Sequence, residues 1–274
     1  MKGGFLFEFL LSWCNLPLIM NEKNDLPENG AENEWMELVK TAFWAVLLAV
    51  CIRSVIAEPF NIPSGSMKPN LLVGDYLFVS KYTYGYSRYS FPMGLVPLPG
   101  RLWGEEPKRG DVAVFKLPAD NKTDYIKRVI GMPGDQIQVR GGQLYINGDL
   151  TPREFIGQEN GMFTYKQTLP NGISFKIYED GDSGPLDNTR IYTVPERHYF
   201  MMGDNRDNSQ DSRVPLQQNP LIPSQIRGVG TVPYENLIGK AEFLFFSTNG
   251  YARLWEFWKW PWTIRYDRMM DKIR

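Results

Sequence analysis

Histidine is almost missing from this chain: its 274 residues hold a single one, His198. A Ser-His-Asp arrangement would therefore rest on one imidazole, and a site built on several is excluded. Cysteine is nearly as scarce. Cys14 and Cys51 both sit in apolar N-terminal segments, which suggests neither a disulfide framework nor a zinc site, because metal sites need clustered ligands. Both read as small buried hydrophobes, and a soluble oxidising compartment is neither required nor excluded. A formal net charge of −1 leaves no global pull toward nucleic acid. No internal repeat or low-complexity tract stands out, and no metal or cofactor is expected.

Long apolar runs are also few. Residues 1–35 read as an extension. Its "GFLFEFLLSWCNLPLIM" comes after Met1 and Lys2 like a short signal-peptide core, but it has no small-x-small cleavage site and Glu8 interrupts it. Two readings stand: Met20 is the true start, or this stretch is a second, weakly hydrophobic membrane segment. The next run, 41–52, is short for a spanning helix, which needs about 20 residues. Extended over 38–57 it reaches that length if Lys40 and Arg53 snorkel toward the two interfaces. A transmembrane helix is thus expected over 36–57, the other reading being a buried helix of a soluble domain. Pro59 should stop it by Glu58.

Beyond Pro59 the chain is β-rich. Glycines and prolines recur between short runs of Val, Ile, Phe and Tyr. "DYLFVSKYTYG", "DVAVFKL", "DYIKRVIGMPGD", "QIQVRGGQLYING" and "HYFMMGD" read as strands ending in turns. Gly141 and Gly142 mark a hairpin. No helix-periodic segment of any length lies between 60 and 235, so the fold is expected to be mainly β. The more polar stretch 135–194 reads as an inserted β subdomain within a core domain of 58–134 and 195–274. The tail "YARLWEFWKWPWTIRYDRMMDKIR" mixes indoles with cations, which suits a bilayer interface as well as a helix packed on the domain.

Within "IPSGSMKPNLLVGD", Ser66 lies between a glycine and a methionine, on a turn that would present it as a nucleophile. Its proton acceptor is less obvious. His198 ends a strand, where an imidazole is more often structural, and an unperturbed carboxylate is a poor partner for a hydroxyl. A lysine serves only when neutral, which requires burial without a counter-ion. Lys127 has the most suitable surroundings. Strand alternation puts Tyr125, Lys127 and Val129 on one face, and Ile126, Arg128 and Ile130 on the other, so Arg128 points away from the Lys127 amine. Snorkelling strand lysines are common, and the residues alone leave catalysis and scaffold both open.

Three blocks, "PSGSMKPNLLVGD", "YIKRVIGMPGD" and "GDNRDNSQDSR", come in that order after an apolar N-terminal segment. Together, over about 36–250, they resemble bacterial type I signal peptidase (leader peptidase), a Ser-Lys dyad serine protease family. The resemblance implies an antiparallel β-sheet catalytic domain with a smaller β insertion, behind an N-terminal transmembrane helix. It implies Ser66 as nucleophile and Lys127 as general base, with Ser64 joining the Ser66 backbone N–H in the oxyanion hole. Ser209 matches a serine that orients the lysine amine. Arg128, Asp204, Asp211 and Arg213 match a structural charge network, and Phe60, Ile62, Met67, Leu71, Tyr125 and Ile126 match shallow pockets for small side chains. The activity implied is removal of signal peptides from secreted preproteins, cut after Ala-x-Ala-type motifs. The expected setting is the bacterial plasma membrane, with residues 1–35 cytoplasmic and the catalytic domain outside, near the secretion translocon. No cofactor or nucleic acid is implied.

Other readings remain. Autocleaving repressor-type proteins share the dyad but would be soluble, with a DNA-binding domain. A pilin-processing peptidase is a further relative, and the S-x-x-K pattern of penicillin-binding enzymes fails because residue 69 is Pro69. A membrane-anchored β domain that only binds partners is the non-enzymatic alternative.

Overall fold

A computed structural model describes residues 30–55, 57–90, 100–159, 161–217, 228–253 and 255–273. Two compact units divide the chain, residues 1–47 and 48–274. Helix α1, Gly30–Val55, begins inside the expected extension and ends before Pro59, where the proline's clash with the preceding residue forbids further turns. Its described side chains, 34–48, are exposed. Among the described residues no helix is long and apolar enough to cross a membrane. The later part of the expected span, 49–57, has its side chains outside the described residues, as do Cys14 and Cys51.

Among the described residues, fourteen strands come after this helix. The main sheet runs β1 (Ala57–Asn61), β2 (Asp75–Ser80), β14 (Leu237–Ser247), β3 (Val112–Lys116), β4 (Asp124–Gly131), β12 (His198–Met202), β13 (Val232–Pro233) in spatial order. Every neighbouring pair in it is antiparallel. Pro59 sits in β1 at the sheet's edge, where its missing N–H leaves no ladder bond unmade.

The strands between 135 and 194 form two sheets of their own. One holds β11 (Tyr192–Thr193), β5 (Gln136–Arg140), β6 (Gln143–Ile146) and β7 (Asp149–Leu150). The other holds β10 (Ser174–Glu179), β9 (Met162–Thr168) and β8 (Arg153–Glu159). Gly141 and Gly142 join β5 to β6 with φ of 51° and 70°, the left-handed pair that a two-residue hairpin turn requires. These sheets share a core with the main one: Ile137, Leu144, Phe175 and Ile177 pack with Ile130, Phe200 and Met202 of β4 and β12.

One expected strand is shorter than its pattern. "DYLFVSKYTYG" leaves the sheet after Ser80 and becomes a single helical turn, α2 (Lys81–Tyr84). The cause lies in distant partners: the buried Lys81 ammonium pairs with Glu58 at 2.9 Å and donates to the Ser90 carbonyl at 2.6 Å. A ladder strand would have pointed this lysine elsewhere.

The tail packs on the domain through part of its charge: Arg265 and Arg268 pair with the buried Asp75 at 3.0 and 2.7 Å, and Lys259 pairs with Glu256. Ser247 also donates to Asp75. The tail is thereby pinned under the turn that carries Ser66, while Trp255, Trp258 and Trp262 stay exposed.

Candidate active site

The Ser66 turn is built by backbone. Ile62 N–H donates to the Asp75 carbonyl across its base, and Leu71 N–H donates to the Met67 carbonyl. The segment after β12, residues 203–213, closes on it from the other side. Asn205 N–H donates to the Ser66 carbonyl at 3.0 Å, and Asn205 Nδ2 to the Gly65 carbonyl at 3.0 Å. Gly203 approaches so closely that an added Cβ would lie 2.6 Å from the Ser66 carbonyl oxygen and 2.2 Å from Ser209 Oγ. No side chain fits there.

Strand β4 enters this space from the sheet. A hydrogen bond of 2.7 Å joins Lys127 Nζ to Ser66 Oγ, residues 61 apart in sequence. Lys127 is 3% exposed and Ser66 8%. Among the described residues no carboxylate pairs with the lysine, and the Tyr125 ring centroid lies 5.4 Å from its ammonium. Burial lowers the amine pKa to about 8, while Asp211 and Asp204 pull the other way without prevailing. Ser64 Oγ lies 3.4 Å from Ser66 Oγ and is exposed.

Arg128 and Asp204 form a bidentate pair at 2.8 and 2.7 Å, and Arg128 also donates to the Gly110 carbonyl. Arg213 pairs with Asp211 through Nε and Nη2, both at 2.9 Å. Burial alone would raise the Asp211 carboxyl, yet the Arg213 charge and hydrogen bonds, with Gly203 N–H, hold it below the usual range.

Two expected roles meet a different geometry. Ser209 Oγ is buried without a hydrogen-bond partner among the described residues, so none joins it to the Lys127 amine; it lies close to Gly203, where an added Cβ would be 2.2 Å away. Of the six expected pocket residues, Ile62, Met67 and Leu71 are core members together with Ile126, packed beneath the surface because the turn folds back on β2. Phe60 and Tyr125 are partly buried at the margin. His198 is half-exposed, with Nδ1 near the Glu196 carbonyl, beside a cavity of about 560 Å³ that includes neither Ser66 nor Lys127.

A family model described as signal peptidase, peptidase S26, matches residues 35–246. The chain belongs to that family. It is a serine endopeptidase hydrolase of a family that removes signal peptides from preproteins. A signal peptidase I of Rickettsia conorii is 43% identical over 236 residues, covering 80% of this chain and 81% of that one. One from Rickettsia typhi is 40% identical over 243 residues, covering 84% and 86%. Among solved structures, a signal peptidase I from Enterococcus faecalis V583 is 26% identical with a TM-score of 0.30, covering 50% of this chain and 97% of that one.

Several contributors to the site escape a sequence reading. Asn205 and Gly203 lie inside "GDNRDNSQDSR", but their contacts are made by backbone and amide atoms that no residue pattern announces. Asn70 bridges to Asp204 at 2.7 Å. Asp75 is visible as the end of the Ser66 block, though not as the anchor for two arginines some 190 residues away.

Proposed function

We propose that this signal peptidase family member is membrane-bound and cuts secreted preproteins through a Ser66–Lys127 dyad, after small-x-small motifs of the Ala-x-Ala type. The observation that carries this is the 2.7 Å contact between a buried serine hydroxyl and a buried lysine with no carboxylate partner among the described residues. An amine in that setting is neutral often enough near neutral pH to accept a proton.

Ser66 Oγ attacks the scissile carbonyl while Lys127 Nζ takes its proton. The oxyanion forms beside the Ser66 N–H and Ser64 Oγ. Lys127 then gives its proton to the leaving amine, and a water deprotonated by the same amine hydrolyses the acyl ester. Substrate lies extended along an open strand edge. Strand β12 pairs with β4 only from Arg128 to Gly131, whereas β3 pairs with Asp124 to Arg128 on the other side. The edge of β4 beside Tyr125, Ile126 and Lys127 thus accepts a substrate strand, with Phe60 and Tyr125 at its margin limiting the side chains and Ile62, Met67, Leu71 and Ile126 packed beneath as their support. Ser209 belongs to the closing segment, residues 203–213, that bonds the Ser66 turn. The exposed indoles of the tail lie at headgroup depth, with the catalytic unit on the extracytoplasmic side, where signal peptides emerge.

The test is to incubate detergent-solubilised protein with a secretory precursor and map the new N-terminus. Cleavage directly after an Ala-x-Ala motif, lost in Ser66→Ala, is expected. An uncut precursor, or equal cutting by Ser66→Ala, would end this reading.

A further inference from the structure

The inserted sheets reach into the catalytic segment at defined points. Strand β10 lies parallel to Asn205, with Tyr178 N–H donating to the Asp204 carbonyl and Arg206 N–H to the Tyr178 carbonyl, both at 2.9 Å. The Phe175 ring stacks 4.0 Å from the Arg128 guanidinium carbon. Asn70, beside the Ser66 turn, donates to the Lys176 carbonyl at 2.7 Å.

Arg206 stands at the centre of these contacts, and the dyad does not use it. It is buried. Its Nη2 donates to Oε1 of Gln167 in β9, its Nε to the Gly203 carbonyl at 3.2 Å, and its own carbonyl accepts from Arg213 at 2.5 Å. Burial lowers its pKa to about 10 despite the nearby carboxylate of Glu179 of β10, which Arg153 of β8 holds. The chain of contacts is short: Gln167 fixes Arg206, Arg206 fixes Gly203, and Gly203 abuts the Ser66 carbonyl and Ser209.

We propose that Arg206 is a positioning residue for peptide hydrolysis, and that Gln167 lets the inserted sheet set the geometry of the Ser66 turn through it. This rests on the dyad reading above. A planar guanidinium suits the task because its fork holds Gln167 and Gly203 at fixed angles, which an ammonium cannot do. Buried Gln167 has the matching role of sole side-chain acceptor on Nη2 among the described contacts.

The test compares Gln167→Met, which fills the same space without an acceptor, with Gln167→Glu, which keeps one. Rates are taken per folded molecule, with folding tracked by circular dichroism. In Gln167→Met, kcat should fall roughly 10- to 100-fold at an unchanged KM, the scale set by small misplacements of reacting groups. The acid limb of kcat/KM should also move to higher pH. Lys127 faces Ser66 from the turn, Tyr125 on its own strand, and Asp204, Asp211 and Arg213 from the closing segment; loosening that segment admits water to the amine. Gln167→Glu should stay near wild type.

Unchanged kcat per folded molecule in Gln167→Met would overturn the proposal, and so would an equal fall in Gln167→Glu. If Gln167→Met does not fold, Arg206→Lys is judged by the same kcat criterion. These ratios read positioning whichever group is the base, whereas activity in Lys127→Arg would remove the dyad alone.

Discussion

Lys127 and Arg128 are adjacent in one strand, both buried, and opposite in every other respect. Arg128 has a bidentate carboxylate, a backbone acceptor and an aromatic ring against its face. On the other face of β4, Lys127 has one serine hydroxyl. A buried cation held in a bidentate carboxylate pair serves as scaffold. One left without a counter-ion gives up its proton more easily and becomes available as a base. The strand's alternation is what permits two such environments one residue apart.

The largest effect should come from giving Lys127 the properties of its neighbour. Lys127→Arg keeps the charge but cannot be deprotonated in this range. Cleavage should drop by roughly 10⁴-fold or more, as for other members of a catalytic unit, and by as much as in Lys127→Ala. In the wild type, kcat/KM should rise with pH up to about 8, the pH at which the amine loses its proton. Substantial cleavage by folded Lys127→Arg at any pH would remove the distinction between the two cations.

Breaking the other side of the comparison should show in stability. Asp204→Ala removes the bidentate carboxylate from the buried Arg128, and such losses run to about 3–5 kcal/mol. The double replacement Arg128→Met with Asp204→Leu should recover much of that, because no charge is left to solvate. Urea unfolding of both variants decides it. A double variant no more stable than the single would mean that the pair contributes more than mutual neutralisation.

This contrast is legible in part from the sequence. Alternation along "DYIKRVIG" separates Lys127 from Arg128, and the turn residues around Ser66 announce an exposed hydroxyl. The same reasoning fails wherever a partner lies far along the chain. Nothing local marks Lys81 for Glu58, so the pattern reads as strand where a helical turn forms. Nothing in the tryptophan-rich tail shows that Arg265 and Arg268 answer Asp75 rather than solvent or lipid. Gln167 looks like any polar residue of a hairpin strand, because its significance depends on where β9 is carried by its sheet. Ser209 is legible by position, yet among the described residues its hydroxyl has no hydrogen-bond partner. Local pattern reports which face a side chain takes. Partners across the fold decide whether its charge is matched.

The smallest effect, and the sharpest on the lysine's protonation, concerns stability against pH. The folded-state pKa of Lys127 is lowered from 10.5 to about 8 by burial. Below pH 8 both folded and unfolded chains hold the proton, and the fold bears the whole penalty of a buried ammonium, ~3 kcal/mol at 1.36 kcal/mol per unit. Between 8 and 10.5 the unfolded chain binds more protons, so stability rises with pH. Above that window both states are neutral and the penalty is gone. Lys127→Met removes the titration altogether. At pH 7 it should therefore raise the unfolding free energy by up to ~3 kcal/mol, with the gain shrinking through the window and small at pH 10.5. Other groups that titrate in that range change both proteins alike, so the difference between them isolates this amine. Arg128→Met, which keeps the Lys127 amine in place, should show no comparable pH-dependent gain. Urea midpoints for all three proteins across pH 6 to about 10.5 would measure this. A Lys127→Met gain that does not change with pH would mean that the amine is neutral, or charged, in both states alike, and that burial does not tune it.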